Sequence, residues 1–345
     1  MDKKKNYRES GFELLRIVCM LFVVMQHFWG HALYPELQSS NDTMSPVTSF
    51  MTLGLLYVAV NCFVLISGYF RIKTDFYRFF SFTFLCIFYN CLSLSFLRLA
   101  GGGTIGRTLI LSIFTDCFKN WWFISFYVFL MLIAPFLNKA IESFSRERLL
   151  QSVIFVGIAD QVLGYFMNMD NGYSLIHFIF LYVLGAYISR DSNYLDKLTR
   201  TQSFLIYVMC TLIWGIIAFA TSGNNIYFMT NISYNNPLIV IGSLSFFNIF
   251  RNIHFKSRVI NTIASFSIAA YLIQDGIGRE LYPWFNTVFN HNSVIMNIAV
   301  MIVCSLAWFI GCSIIDFVRQ YLWKVIENWI KPIPIIRQIS TREGW

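Results

Sequence analysis

The sequence predicts an all-α fold, a polytopic transmembrane bundle of about ten spans with both termini cytoplasmic. Three observations carry that prediction: the composition, the length of the apolar runs, and the placement of the basic residues. Of 345 residues, 57% are apolar and only 13% charged, against about 25% charged in a soluble domain. Mean hydropathy is +0.58. Such a composition excludes a soluble enzyme, a disordered chain and a nucleic-acid binder, although the net charge is +8.

The apolar runs set the element map. A span needs about 20 apolar residues, and runs of that order lie at 12–31, 48–70, 79–97, 121–140, 149–168, 173–189, 203–221, 236–250, 261–277 and 294–318. The eighth is the shortest. A weaker run, Leu109 to Phe118, is half a span long and reads as re-entrant or interfacial.

The basic residues then orient the map. Alternate loops hold Lys3, Lys4, Lys5 and Arg8; Arg71, Lys73 and Arg78; Lys139, Arg146 and Arg148; Arg190, Lys197 and Arg200; Arg251, Lys256 and Arg258; and Arg319 with four more toward the C-terminus. The opposite loops hold only Arg98, Arg107, Lys119 and Arg279. Basic residues stay on the cytoplasmic side, so an even number of spans with both termini inside is expected, and the positive charge reports topology. Lys3 to Lys5 before an apolar run could open a secretory signal. Glu13, Arg16 and His27 within that run argue for a retained first helix instead. Residues 1–320 therefore read as one transmembrane domain and 321–345 as a basic cytoplasmic tail, with Trp323 and Trp329 along the inner membrane surface. No large soluble domain is expected. The eight cysteines show no CxxC pair and read as small hydrophobes between helices.

Ionisable residues inside a span are costly and mark function. Arg16 and His27 are eleven residues apart in the first span, which at 100° per residue is about 20° past three full turns, so both project from nearly one face, about 16 Å apart along the axis. A guanidinium near the inner boundary can bind phosphate bidentately, and a histidine deeper in a partly dry cavity can take a proton from a hydroxyl at neutral pH. The plainer alternative has Arg16 snorkelling to head groups and His27 bonding a neighbouring helix. His31, one turn beyond His27, could share a metal only with a third ligand, and none is evident; no metal is expected. Ser67-Gly68 reads as a close helix-packing site, with Ser67 also a candidate substrate contact. Asn61, Asn138, Asp160 and Gln161 line a cavity or bond across helices, with Asn138 a further candidate contact. His177 reads as a core residue and His254 as a loop residue. Of the pair Trp121-Trp122, one fits an outer aromatic belt, and Trp122 is the candidate surface for stacking a sugar ring.

The spacing of Arg16 and His27 resembles the Arg-x10-His motif of the acyltransferase 3 family of membrane proteins. Further segments resemble its Gram-positive exopolysaccharide branch, in family order: Asn61 to Phe70, Trp121 to Ser125 with Ala134 to Asn138, Phe180 to Ile188, and Ser267 to Ile273. The resemblance implies transfer of an acyl group, usually acetyl, from cytoplasmic acyl-CoA to a hydroxyl of a cell-surface polysaccharide or lipid-linked glycan precursor. The protein would then be a multi-pass cell-membrane protein of a bacterium. His27 would be the catalytic base and Arg16 would help hold the donor. Arg71 and Arg78 are candidates for the CoA phosphates, although they lack the Arg-x-x-Arg spacing common in the family, and topology signalling accounts for them as well. Gln274 stands where relatives commonly carry His. Acyl-CoA is expected as a donor substrate, with no permanently bound cofactor; the expected partners are the glycan acceptor and the bilayer, with a second copy of the chain as an open alternative and no nucleic acid. A transporter of polysaccharide or lipid-linked glycan is the rival reading, weakened by the lack of an internal repeat.

Overall fold

The computed structural model describes residues 9–33, 44–73, 76–101, 110–113, 121–166, 172–190, 194–221, 233–289 and 293–330. It is all-α, with no strand among the described residues. The helices are α1 (Ser10–Phe28), α2 (Met44–Leu56), α3 (Ala59–Phe70), α4 (Phe76–Ala100), α5 (Trp122–Ser143), α6 (Arg146–Phe166), α7 (Leu175–Ile188), α8 (Arg200–Thr221), α9 (Pro237–Arg251), α10 (Arg258–Phe266), α11 (Ile268–Asp275), α12 (Gly278–Val288) and α13 (Val294–Ile330). Each of the ten apolar runs falls on helix. The weaker run at 109–118 lies largely outside the described residues.

By length and composition, six described helical stretches are apolar enough to cross a membrane: Ser10–Leu33, Val47–Phe70, Tyr77–Ala100, Trp122–Ser143, Arg200–Thr221 and Val294–Trp329. The others depart from the expected spans for identifiable reasons. Helix α6 opens on Arg146, Glu147 and Arg148 and carries Asp160 and Gln161. Helices α7 and α9 have only 14 and 15 residues, or about 21–23 Å at 1.5 Å per residue. The run 261–277 is broken at Ser267, whose hydroxyl and backbone N–H both bond the Ala264 carbonyl, a local competition with the helical ladder.

Helix α1 is the hub. It packs against α2, α3, α9, α10, α11 and α13. Its start is pinned to α10: the Ser10 hydroxyl donates to Asn261 Oδ1 (2.8 Å) and accepts from the Ser257 backbone N–H (2.8 Å). Helices α3 and α7 approach so closely that a Cβ on Gly68 would strike the Tyr182 backbone, and one on Gly185 would strike Leu65 and Tyr69. Small residues at the contact let backbones meet where lipid offers no hydrophobic drive for association. This is the packing role read for Ser67-Gly68. Large apolar side chains such as Phe136 and Phe155, 70% and 71% exposed, form the surface that lipid would cover.

Helix α13 runs unbroken for 37 residues, about 55 Å against a hydrocarbon core of about 30 Å. No helical break marks position 320, and Trp323 packs on α4 through Phe84 (ring centroids 4.7 Å) and Tyr77. A buried ion pair within α13 also takes a hydrogen bond from α4. Asp316 is fully buried and accepts from Tyr89 Oη (2.6 Å), Arg319 Nε (2.6 Å) and Arg319 Nη2 (3.1 Å), with Gln320 adding a fourth bond. Arg319→Ala leaves that carboxylate uncompensated, an expected cost of about 3–5 kcal/mol. It should appear as a lower thermal midpoint of the detergent-solubilised protein, and an unchanged midpoint would show that the buried Asp316 does not depend on Arg319.

Candidate active site

Two polar stripes and several aromatic rings converge on one cavity of about 530 Å³. Arg16 and His27 both line it, as their spacing on α1 requires, along with Met20 and Val23 on the same face. Arg71, Lys73 and Arg78, from the segment joining α3 to α4, line the Arg16 end; Trp122, Tyr234 and Tyr271 accompany His27. Ser67 lines the wall between, where its hydroxyl donates to the Phe63 carbonyl (2.9 Å) and lies 3.2 Å from Tyr127 Oη.

The cations at the basic mouth are held in place. Arg16 Nη1 pairs with Glu13 Oε1 at 2.5 Å, one turn earlier on α1. Arg71 pairs with the exposed Glu142 (3.2 Å), and Arg78 donates to the Lys73 carbonyl (2.7 Å). An exposed pair of this kind contributes about 0–1 kcal/mol. At the other end the His27 ring meets Tyr271 edge to face (centroids 5.9 Å) and lies 6.1 Å from His31. His27 Nδ1 is buried with no hydrogen-bond partner among the described residues. His31 itself stacks on Tyr282 at 4.7 Å, and the described residues contain no group of three potential metal ligands.

A stack of aromatic rings extends from the His27 end. Trp122 stacks on Tyr234 (5.6 Å), Tyr234 on Tyr57 (4.4 Å) and Tyr57 on Trp214 (5.4 Å). Trp121, read as one option for an outer belt, is instead buried in the core at 1% exposure: it is the extended residue that caps α5.

Beneath this stack lies a buried polar chain. Asn61 Nδ2 donates to the Tyr234 carbonyl (2.9 Å), which leaves Asn61 Oδ1 to accept from His177 Nε2 (3.1 Å), while His177 Nδ1 faces Asp160 Oδ2 (2.9 Å). Both ring nitrogens thus face oxygen atoms. Gln161 donates to the Asn235 carbonyl (2.6 Å), and Tyr234 Oη donates to Gln26 Oε1 (3.2 Å). Asn61, Asp160, Gln161 and His177 therefore bond across helices and hold the 233–236 segment over the cavity; none of the four lines it.

Two further sequence candidates also lie off the cavity wall. Asn138 spends its amide on the Ile72 carbonyl and Tyr182 Oη. Gln274, 1% exposed, donates to the Val24 carbonyl of α1 (3.1 Å). Sequence reasoning did not single out Tyr127, Tyr234 and Tyr271, and it took Lys73 only as a topology signal. With aromatics at 18% of the chain, no local signal separates a cavity ring from a packing ring.

A family model described as an acyltransferase domain, that of acyltransferase 3, matches residues 9–316. The chain belongs to the acyltransferase 3 family, and it is a membrane acyltransferase. Neither the curated proteins nor the solved structures compared with it gave a match.

His177→Leu strands the Asp160 carboxylate in an apolar interior and should cost about 3–5 kcal/mol of stability, more than Asp160→Asn, by thermal unfolding in detergent. Equal midpoints for the two variants would mean that the carboxylate carries no buried charge. Gln274→Leu loses one buried helix-to-helix hydrogen bond, about 1 kcal/mol. Since Gln274 does not line the cavity, acyl transfer by that variant should persist; its abolition would give the side chain a role beyond packing.

Proposed function

We propose that this acyltransferase moves an acetyl group from cytoplasmic acetyl-CoA to a hydroxyl of a cell-surface polysaccharide or lipid-linked glycan precursor, with His27 as general base. The observation that carries the reading is the single cavity whose one end holds Arg16, Arg71, Lys73 and Arg78 and whose other end holds His27 and Trp122. It combines a multiply charged cationic site, suited to an anion, with a base in a water-poor setting. A donor that joins phosphates to a thioester through a long arm fits both ends at once.

In this mechanism the basic side chains bind the phosphates of CoA through charge-assisted hydrogen bonds. The pantetheine arm follows the apolar wall of Met20, Val23 and Ile66. That places the thioester carbonyl near His27. The acceptor approaches from the opposite side, with a sugar ring against Trp122. The free imidazole nitrogen of His27 takes the hydroxyl proton as the oxygen attacks the thioester carbon. Collapse of the tetrahedral intermediate breaks the carbon–sulfur bond, and the imidazolium returns its proton to the departing thiolate. Holding both reactants in one cavity supplies the orientation that makes the attack effectively unimolecular. On this reading the protein resides in a bacterial plasma membrane with the basic mouth facing the cytoplasm, where Arg71 and Arg78 serve as phosphate ligands.

Membranes supplied with acetyl-labelled acetyl-CoA test the reading. Wild type should place label in a glycan or lipid-glycan fraction. His27→Ala should lower the rate by about 10²–10⁴-fold while remaining folded and inserted. Near-normal transfer by His27→Ala would sink the general-base role, and absence of label with every acyl donor and acceptor supplied would favour a transporter.

A further inference from the structure

Arg71 is the one non-glycine residue with positive φ among the described residues, at φ 56°. A side chain held there costs on the order of 1–3 kcal/mol and persists only where the surroundings over-determine the backbone. Here the next residue is gripped at both polar atoms. The Ile72 backbone N–H donates to Tyr182 Oη (2.9 Å), Tyr182 Oη donates to Asn138 Oδ1 (2.7 Å), and Asn138 Nδ2 donates to the Ile72 carbonyl (2.9 Å). The three bonds close a ring. Tyr182 is fully buried and reaches Ile72 because Gly68 and Gly185 let α7 lie directly on α3.

The consequence falls on the basic mouth. Were α3 to continue through residue 73, Arg71 and Lys73 would lie about 200° apart around the helix, and only one of them could face the cavity. The turn at Arg71 ends the helix, so that angular constraint no longer separates the two side chains. Both cations line the cavity.

We infer that Asn138 and Tyr182 are positioning residues for the anionic donor: their hydrogen-bond ring on the Ile72 backbone holds Arg71 and Lys73 as a pre-set pair for its phosphates. The inference rests on the reading of the donor as acyl-CoA. Neither side chain lines the cavity, so both act through the two cations and not by touching the donor.

The test is steady-state transfer by full-length protein in membranes, with acetyl-CoA and its 3′-dephospho form as donors. Tyr182→Phe removes the hydroxyl at the centre of the ring and keeps the buried ring of the tyrosine. It should raise the KM for acetyl-CoA roughly tenfold, with kcat and the acceptor KM little changed. The penalty for omitting the 3′-phosphate should also shrink. Lys73→Gln should raise the same KM, and the Tyr182→Phe/Lys73→Gln double variant should be no worse than the more affected single variant, because the first substitution has already misplaced the second cation. Asn138→Ala provides the same comparison if Tyr182→Phe proves poorly folded by gel filtration in detergent. An unchanged donor KM overturns the inference, as does a fall in kcat alone or fully additive effects in the double variant. Wild type that transfers no acetyl from acetyl-CoA overturns the donor reading itself, and the clamp's proposed role falls with it.

Discussion

A guanidinium and an imidazole on one face of a single membrane helix cannot be left against hydrocarbon. Ionisable groups inside a span are expensive and face the bundle interior or a polar cavity, and the stripe carrying Arg16 and His27 is enclosed in this way. Helix α1 is accordingly surrounded by α2, α3, α9, α10, α11 and α13. Enclosure without complete packing leaves the cavity, and the cavity inherits the chemistry of the stripe. The hub position of α1 and the location of the site thus follow from one requirement.

The packing that encloses α1 relies on small residues and buried polar bonds more than on any difference in apolarity between helix and surroundings. The contact of Gly68 with Gly185 is the clearest case. The same contact sets Tyr182 against Ile72 and turns the chain at Arg71. Polar bonds do parallel work elsewhere: Ser10 ties the first helix to α10, Asp316 ties α4 to α13, and the chain from Asp160 through His177 and Asn61 supports Tyr234. In an apolar medium each such group must find a partner inside the protein. Helix positions are thereby specified more tightly than greasy surfaces alone could specify them.

Particular residues show how far the sequence could be read. Arg16 and His27 could be related from the sequence because helical periodicity links two positions on one element, and Arg71, Arg78, Ser67 and Trp122 line the same cavity. Tyr127, Tyr234 and Tyr271 were not legible: they stand among so many other aromatics that only their position distinguishes them. Asn138, Asn61, Asp160 and His177 were visible as polar residues in apolar surroundings, but what each bonds depends on a distant segment. Asn61 and Tyr234, for example, are 173 residues apart.

By itself, the sequence determined what is local or periodic. The helical class, the approximate positions of the membrane segments, the shared face of Arg16 and His27, and the family resemblance all depend on composition and on spacing within single elements. Only the tertiary structure decided what depends on distances between elements: the union of the α3–α4 segment with the α1 stripe in one cavity, the aromatic stack beside His27, the burial of Trp121, and the bonds that turn Arg71. The physical reason is that helical periodicity constrains angles around one axis. The separation and rotation of neighbouring axes come from which small residues meet and which buried polar groups find one another.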